Sequence, residues 1–280
     1  MSESQSIPKI LHYCWFGGNP KSDVIIKCME SWKRYCPDYR IMEWNEDNFD
    51  INSNKFAKEA YECKRWAFVS DYVRLWALKN YGGIYVDTDL EILKPIDDFL
   101  KHRAFSGFES TQYIPTAIMG AEINHPWIGD LLSHYDCLGF VKEDGTHHDE
   151  ANVHYMTKMT QELYGLVRDD SYQILKHDLH IYPHNVFCPT LDLIFQITAD
   201  THTIHHFTGT WLNEELYDER VQIREKINDS PFARFLYDTK GGKALIRLMY
   251  CLYSIPIYIK NDKVSISIVK KAVRFLFLKS

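Results

Sequence analysis

Two carboxylates stand one residue apart in Tyr81-Gly82-Gly83-Ile84-Tyr85-Val86-Asp87-Thr88-Asp89. On an extended chain, residues i and i+2 share a side. Asp87 and Asp89 therefore leave the short strand Ile84 to Val86 together. They bring two negative charges and four hard oxygens, which suits Mg²⁺ or Mn²⁺. An ion held this way with open positions takes up a diphosphate, and open α/β sheets bind ligands at the carboxyl ends of strands. The glycines before the strand let a ligand approach the backbone. A lone D-x-D more often solvates a turn. The apolar strand, the glycine pair and a helix nearby in sequence turn the balance toward a site.

That helix carries Ser70-Asp71-Tyr72-Val73-Arg74. Asp71 and Arg74 are three apart and share a face. As a surface ion pair they would contribute at most ~1 kcal/mol. As a sugar-binding pair, the carboxylate accepts hydroxyl protons and the guanidinium donates to hydroxyl or phosphate oxygens. Trp66 and Trp76 on the same helix read as core. Further on, Thr203-Ile204-His205-His206-Phe207-Thr208-Gly209-Thr210-Trp211 looks like a strand running into a site edge. Either histidine could complete a metal sphere through a neutral imidazole nitrogen, or be a satisfied core residue. Trp211 is either core or a lid.

These residues need elements to position them. Lys9 to Trp15 reads as a buried strand, Asp23 to Tyr35 as a helix ended by Pro37, and Tyr39 to Trp44 as a second strand. Lys64 to Tyr81 has strong helical spacing, with a left-handed glycine cap expected at Gly82-Gly83. Strand and helix alternate over the first 90 residues, which implies βαβ units and a largely parallel sheet. Further strands are expected at Ala104–Phe108, Thr116–Ala121, Ile181–Tyr182 and Thr203–His206, and helices at Trp127–Tyr135, Val153–Tyr164 and Leu212–Ile227.

The composition fits an ordinary globular chain of 280 residues, too apolar and aromatic for disorder. Seven scattered cysteines with no C-x-x-C pair argue against a disulfide framework or zinc ribbon. The start MSESQSIPKI lacks the basic and apolar regions of a secretory signal. No uncharged apolar run of about 18 residues exists to span a membrane. The net charge of −6 argues against a nucleic-acid partner, but it averages two unlike parts. Residues 240–280 hold nine basic side chains against Asp262 alone, a net +8, leaving −14 for the first 239 residues. That basic part is also apolar and aromatic. It suits attachment to an anionic membrane surface, or equally a helical pair packed on the domain with a basic outer face.

Taken together the motifs resemble glycosyltransferase family 32, the sugar transferases with a D-x-D motif, and within it the bacterial capsular-polysaccharide and lipopolysaccharide branch. The family also includes relatives of yeast mannosyltransferases and of clostridial glucosylating toxin catalytic domains. The matching stretches run in the family's order: IPKILHYCWFGG at 7–18, SDYVRLWALKNYGGIYVDTDLEILKPIDD at 70–98, TAIMGAEINHPWI at 116–128, YPHNVFCP at 182–189 and IHHFTGTW at 204–211.

Residues 1–235 read as one α/β domain, with no linker-like stretch to divide it, and residues 236–280 as a C-terminal helical, basic and apolar tail. The resemblance implies a GT-A fold, a Rossmann-like domain on a mixed, mainly parallel sheet. It further implies a nucleotide-sugar donor, Mn²⁺ or Mg²⁺, and retention of anomeric configuration. By the same analogy Trp15 stacks on the nucleotide base, with Cys14 and Phe16 lining that pocket and Asn45 contacting the nucleotide. Ser70, Asp71 and Arg74 grip ribose and donor sugar. Tyr85, Asp87 and Asp89 are the signature residues, with Asp89 a direct metal ligand and Asp87 held through water or on the ribose. His206 takes the third ligand position ahead of His205. Thr210 and Trp211 match a closing segment that usually reads Ser-Trp. The stretch around Asn152–Thr157 matches poorly.

The expected activity is transfer of a hexose to a hydroxyl of a glycan or lipid-linked oligosaccharide in bacterial surface polysaccharide synthesis. UDP is favoured over GDP because Trp15 and a compact first turn suit a small base. The expected location is the cytoplasm, at the inner face of the cell membrane if the tail attaches there. Two alternatives stay open. A phosphatase or phosphotransferase of haloacid dehalogenase type also has strand-D-x-D, but expects Thr or Val where Glu91 stands and expects the motif near the N-terminus. A non-catalytic sugar-binding protein would not need both the carboxylate pair and the Asp–Arg helix. The polar cluster His147-His148-Asp149-Glu150 with His154 has no common metal-ligand spacing and reads as a loop.

Overall fold

The computed structural model describes residues 6–109, 113–148, 150–191, 194–195 and 197–208. Eleven strands and six α-helices follow in chain order: β1 (Ile10–Cys14), α1 (Asp23–Tyr35), β2 (Arg40–Trp44), α2 (Lys55–Glu62), α3 (Trp66–Tyr81), β3 (Gly83–Val86), β4 (Leu90–Ile92), β5 (Ala104–Gly107), β6 (Ile118–Ala121), α4 (Pro126–Ser133), α5 (Val153–Met159), β7 (Gln173–Leu175), β8 (Leu179–Tyr182), α6 (His184–Phe187), β9 (Thr190–Leu191), β10 (Ile194–Phe195) and β11 (Thr203–His205). The chain divides into two compact units, residues 1–190 with 196–206, and residues 191–195 with 207–280. The first contains the main sheet. The expected helix Leu212–Ile227, the boundary at 235 and the basic tail lie outside the described residues.

Seven strands form one sheet in the order β2-β1-β3-β6-β5-β8-β7. β1 pairs in parallel with both β2 and β3, and β5 with β8. β6 runs antiparallel between β3 and β5, and β7 antiparallel beside β8. Five of the seven strands thus point the same way, giving the mixed, mainly parallel α/β sheet that was expected. The period-2 pattern of β1 explains its place. Leu11 and Tyr13 enter one apolar cluster with α1 side chains, while Cys14 enters the other with those of α2, α3 and α4.

α3 is apolar nearly all round because it packs on α2, α4, β1, β3 and β6 at once. It starts at Trp66, not Lys64, because Lys64 adopts φ 56° and separates α2 from α3. Its end is abrupt. The Gly82 N–H donates to Leu78 O at 2.9 Å, and Gly82 has φ 62° and ψ −160°, a positive-φ cap but not a left-handed helical one. Gly83 follows at φ 95°, and a Cβ there would lie 2.6 Å from the Ile10 carbonyl oxygen. Glycine is the residue that tolerates both conditions. The pair therefore swings the chain from α3 into β3 directly against β1.

Below this junction His12 is fully buried with both ring nitrogens engaged. Trp44 Nε1 donates to Nδ1 at 3.1 Å, and Nε2 lies 2.8 Å from Gly82 O. Trp66 and Trp76 are half-buried against the α3-side core, as expected. In the polar loop, His147 stacks on Phe140 with ring centroids 4.8 Å apart, and Asp149 lies outside the described residues. Among the described residues no helix is long and apolar enough to cross a membrane.

Candidate active site

The carboxyl end of β3 delivers Asp87, whose N–H donates to Ala117 O at 2.9 Å. Leu90 N–H returns to Asp87 O at 3.0 Å, so Thr88 and Asp89 sit in a tight turn before β4. β4 pairs antiparallel with β11, which sets His205 opposite Leu90. The pairing continues through His206 N–H to Asp89 O at 3.0 Å. This register places His205 Nε2 3.3 Å from Asp89 Oδ1 and 4.0 Å from Asp87 Oδ2.

That is a correction to the expected ligand set. The His206 ring turns away, with Nε2 2.9 Å from Glu91 Oε2, which also takes Lys27 Nζ at 3.1 Å. His206 therefore ties β4 toward α1, and His205 faces the carboxylate pair. Ligand atoms of Asp87, Asp89 and His205 all lie within 4.8 Å of one another. Two ligands each about 2.1 Å from one ion stand roughly 3 to 4 Å apart. Two carboxylates and an imidazole at the observed spacings fit such an ion. Burial opposes a charge on the His205 imidazole, but Asp89 and a hydrogen bond with Cys188 outweigh it and push the group well above its usual range.

Arg74 connects this centre to α3. The guanidinium is 4% exposed and every side of it is used. Nε donates to Ser70 O at 3.2 Å and Nη1 to Thr116 O at 2.9 Å, while Nη2 lies 3.0 Å from Asp71 Oδ1 and 3.3 Å from Asp87 Oδ1. Its flat face covers the Tyr85 ring at 4.6 Å, and Tyr85 Oη donates to Asp87 Oδ1 at 3.0 Å. Burial works against the Arg74 charge, but Asp87, Tyr85 and Asp71 more than offset it, and the group stays charged. Asp71 is different. Burial pushes its carboxyl up to about 7, although Arg74 and a 2.5 Å hydrogen bond from Asn152 Nδ2 pull the other way.

The residues expected to face a nucleotide follow the ends of β1 and β2. Trp15 is half-exposed, with Nε1 donating to Asn19 O at 2.8 Å and Lys21 Nζ 5.2 Å from its ring centre. Asn45 folds its own turn, donating to Glu43 Oε1 at 3.1 Å and accepting from Asp47 N at 2.9 Å. Cys14 and Phe16 are 5% and 3% exposed and belong to the core. The Cys14 thiol is pushed up to about 12, chiefly by burial. Ser70 Oγ donates to Trp66 O at 3.1 Å. Thr210 and Trp211 lie outside the described residues.

Two residues the sequence reading did not assign join the site. Asn152 is 7% exposed and anchors Asp71. Glu109, just past the carboxyl end of β5, is pushed up to about 7 by burial; His205 pulls it down and Asp87 raises it. The rule that pointed to Asp87, an acid at the end of a strand, also applies to Glu109. No local signal marks Asn152.

Residues 22–106 match the family described as "Glycosyltransferase sugar-binding region containing DXD motif". The chain is 27% identical over 152 residues to "Mannosyl phosphorylinositol ceramide synthase SUR1" of Saccharomyces cerevisiae, covering 49% of this chain and 37% of that protein. It is 26% identical over 151 residues to "Inositol phosphoceramide mannosyltransferase 3" of Schizosaccharomyces pombe, covering 50% and 40%. The chain thus spans about two fifths of the length of these curated relatives. Among solved structures, the "PaToxG Glycosyltransferase" superposes over 56% of this chain and 70% of that one, at 18% identity and a TM-score of 0.42.

Proposed function

We propose that this chain, whose residues 22–106 match the glycosyltransferase sugar-binding region containing the D-x-D motif, transfers a hexose from a nucleotide-sugar donor to a hydroxyl of a glycan or lipid-linked oligosaccharide. The observation that carries this reading is the convergence of Asp87, Asp89 and His205 beside the Arg74 guanidinium, which itself bridges Asp71 and Asp87. Those three side chains would hold Mn²⁺ or Mg²⁺, which when bound offsets charge on a leaving diphosphate.

The chain's own groups do the rest. Arg74 supplies a fixed positive charge beside the place where leaving-group charge develops, so no reorganisation is needed at the moment of reaction. Asp71, held by Arg74 and Asn152, accepts from sugar hydroxyls. Tyr85 and Arg74 occupy Asp87 Oδ1, which keeps Oδ2 turned to His205. Trp15 offers an aromatic face for the base. Front-face attack by the acceptor hydroxyl, with retention, is the reading in keeping with the family.

The finer assignment is a UDP-hexose as donor and bacterial surface polysaccharide as product. Residues 1–235 would form the catalytic domain, and the basic tail 236–280 would hold the enzyme at the cytoplasmic face of the membrane. The names of the yeast relatives favour mannose as a second reading for the transferred sugar. The test is nucleotide release with Mn²⁺ across UDP- and GDP-hexoses, in wild type and Asp89→Asn. Metal-dependent release from one donor, lost in the variant, supports the reading. Release of inorganic phosphate from phosphomonoesters, with no sugar nucleotide consumed, would favour the phosphatase. Co-sedimentation with anionic liposomes, comparing the full chain with a 1–239 truncation, tests the tail; equal pelleting of both discards it.

A further inference from the structure

A second group of ligating side chains lies at the other end of the sheet. β3, β5 and β8 run the same way. Asp87 leaves the carboxyl end of β3, whereas His102, Asp178 and His180 gather at the amino ends of β5 and β8. A ring nitrogen of each histidine and a carboxylate oxygen of Asp178 all lie within 4.8 Å of one another. We propose that His102, Asp178 and His180 form a zinc-class transition-metal site, separate from the Asp87–Asp89 centre, that clasps the starts of β5 and β8.

The donor set points to the metal class. Two imidazoles and one carboxylate suit Zn²⁺, Co²⁺ or Ni²⁺, whereas the oxygen-rich centre at Asp87 suits Mn²⁺ or Mg²⁺. Both histidines are 6% exposed, and the Asp178 side chain is 44% exposed, which leaves a fourth position open to water. The outer contacts also match. Ligating histidines usually anchor their second ring nitrogen on a hydrogen-bond partner, which fixes tautomer and orientation. Here Tyr182 Oη lies 2.7 Å from His102 Nε2, and Tyr172 Oη 2.7 Å from His180 Nδ1. The opposite nitrogens, His102 Nδ1 and His180 Nε2, are the ones left for an ion. His180 Nε2 already stands 2.9 Å from Asp178 Oδ1.

The backbone is shaped to present the carboxylate. His177 and Asp178 both hold positive φ, 61° and 59°, a costly conformation for two consecutive non-glycine residues. Arg103 N–H then binds Asp178 Oδ2 at 3.1 Å and ties that corner to the start of β5. The two rings stack with centroids 3.5 Å apart and planes 20° apart. Metal binding would open this stack slightly, so that both lone pairs meet one ion.

The test titrates Zn²⁺, then Co²⁺, into the full chain carrying Asp89→Asn, which disables the first centre. One equivalent of Zn²⁺ should bind, with a rise in Tm of about 5–10 °C at a hundredfold excess over Kd. Co²⁺ should give visible absorption characteristic of nitrogen and oxygen ligation. Adding His180→Gln or His102→Gln should abolish both signals. Should those variants fold poorly, the more exposed Asp178→Asn should weaken binding at least tenfold with the fold intact. Failure of the Asp89→Asn chain to bind Zn²⁺, or binding unchanged by all three substitutions, would overturn the site.

Discussion

The Arg74 guanidinium stands 3.3 Å from Asp87, although twelve residues, including the whole turn from α3 into β3, separate them in sequence. That distance joins the helix pair and the strand-end pair into one charged unit. Arg74 holds it with a planar fork that binds two backbone carbonyls and two carboxylates at once. A lysine keeps the charge but has one nitrogen and no fork.

Arg74→Lys is therefore expected to lower the transfer rate by about 100-fold, the scale for losing one preorganised stabiliser of developing charge. It should also destabilise the fold by roughly 3 kcal/mol, because Asp71 and Asp87 lose part of a buried partner. Initial rates of nucleotide release and urea unfolding measure the two effects. A rate within threefold of wild type would take Arg74 out of the site.

The neighbouring histidines should separate cleanly. His205→Ala removes a nitrogen that faces both carboxylates, while His206→Ala removes a partner of Glu91. The Mn²⁺ concentration needed for half-maximal thermal protection should rise at least tenfold in the first variant. In the second it should change less than threefold, with a small loss of stability. The reverse order would return the ligand role to His206.

What the sequence made readable was local. D-x-D after an apolar strand, and Asp71 three residues from Arg74, are spacings within one element, and both pairs lie where the spacing put them. The choice of His205 over His206 depends on how β11 pairs with β4, more than 110 residues away in sequence. β4 itself is three residues long and gives no periodic signal. The helix expected from Lys64 is a similar case. Its side chains fit a helix, but the corner between α2 and α3 forces Lys64 to positive φ. Cys14 and Phe16, which the resemblance puts beside the base, both enter the core, Cys14 from the end of β1 and Phe16 from the turn after it. Asn152 reaches Asp71 across 81 residues, and no local pattern could encode that.

His12 makes stability depend on pH in one direction. Trp44 Nε1–H donates to Nδ1, so the neutral Nε2–H tautomer, donating to Gly82 O, is the one that fits. Burial, the largest cause, lowers its pKa from 6.5 to about 4. The unfolded chain then binds the extra proton first. The contribution is complete above about pH 6.5 and is lost as pH falls toward 4. At about 1.4 kcal/mol per unit, the loss is on the order of 3 kcal/mol. His12→Gln should flatten this part of the Tm–pH curve between pH 7 and 4. An unchanged slope would show that His12 is not its source.

Asn152 tests whether Asp71 works as a carboxylate. Its amide donates to Asp71 Oδ1 at 2.5 Å, and a hydrogen bond to the charged form of an acid lowers its pKa. Burial already pushes Asp71 up to about 7, so this donor matters near neutrality. In Asn152→Ala the carboxyl should rise further, and the protonated fraction at pH 7 should grow. If transfer needs the ionised form, the acidic limb of the rate profile should move to higher pH by about one unit. The rate at pH 7 should fall several-fold and recover at pH 8.5 to 9. Asn152→Gln, which keeps an amide donor, should restore part of the loss. A uniform fall at every pH would mean that Asn152 only packs the wall behind Asp71. No change at any pH would mean that Asp71 does not act through its charge.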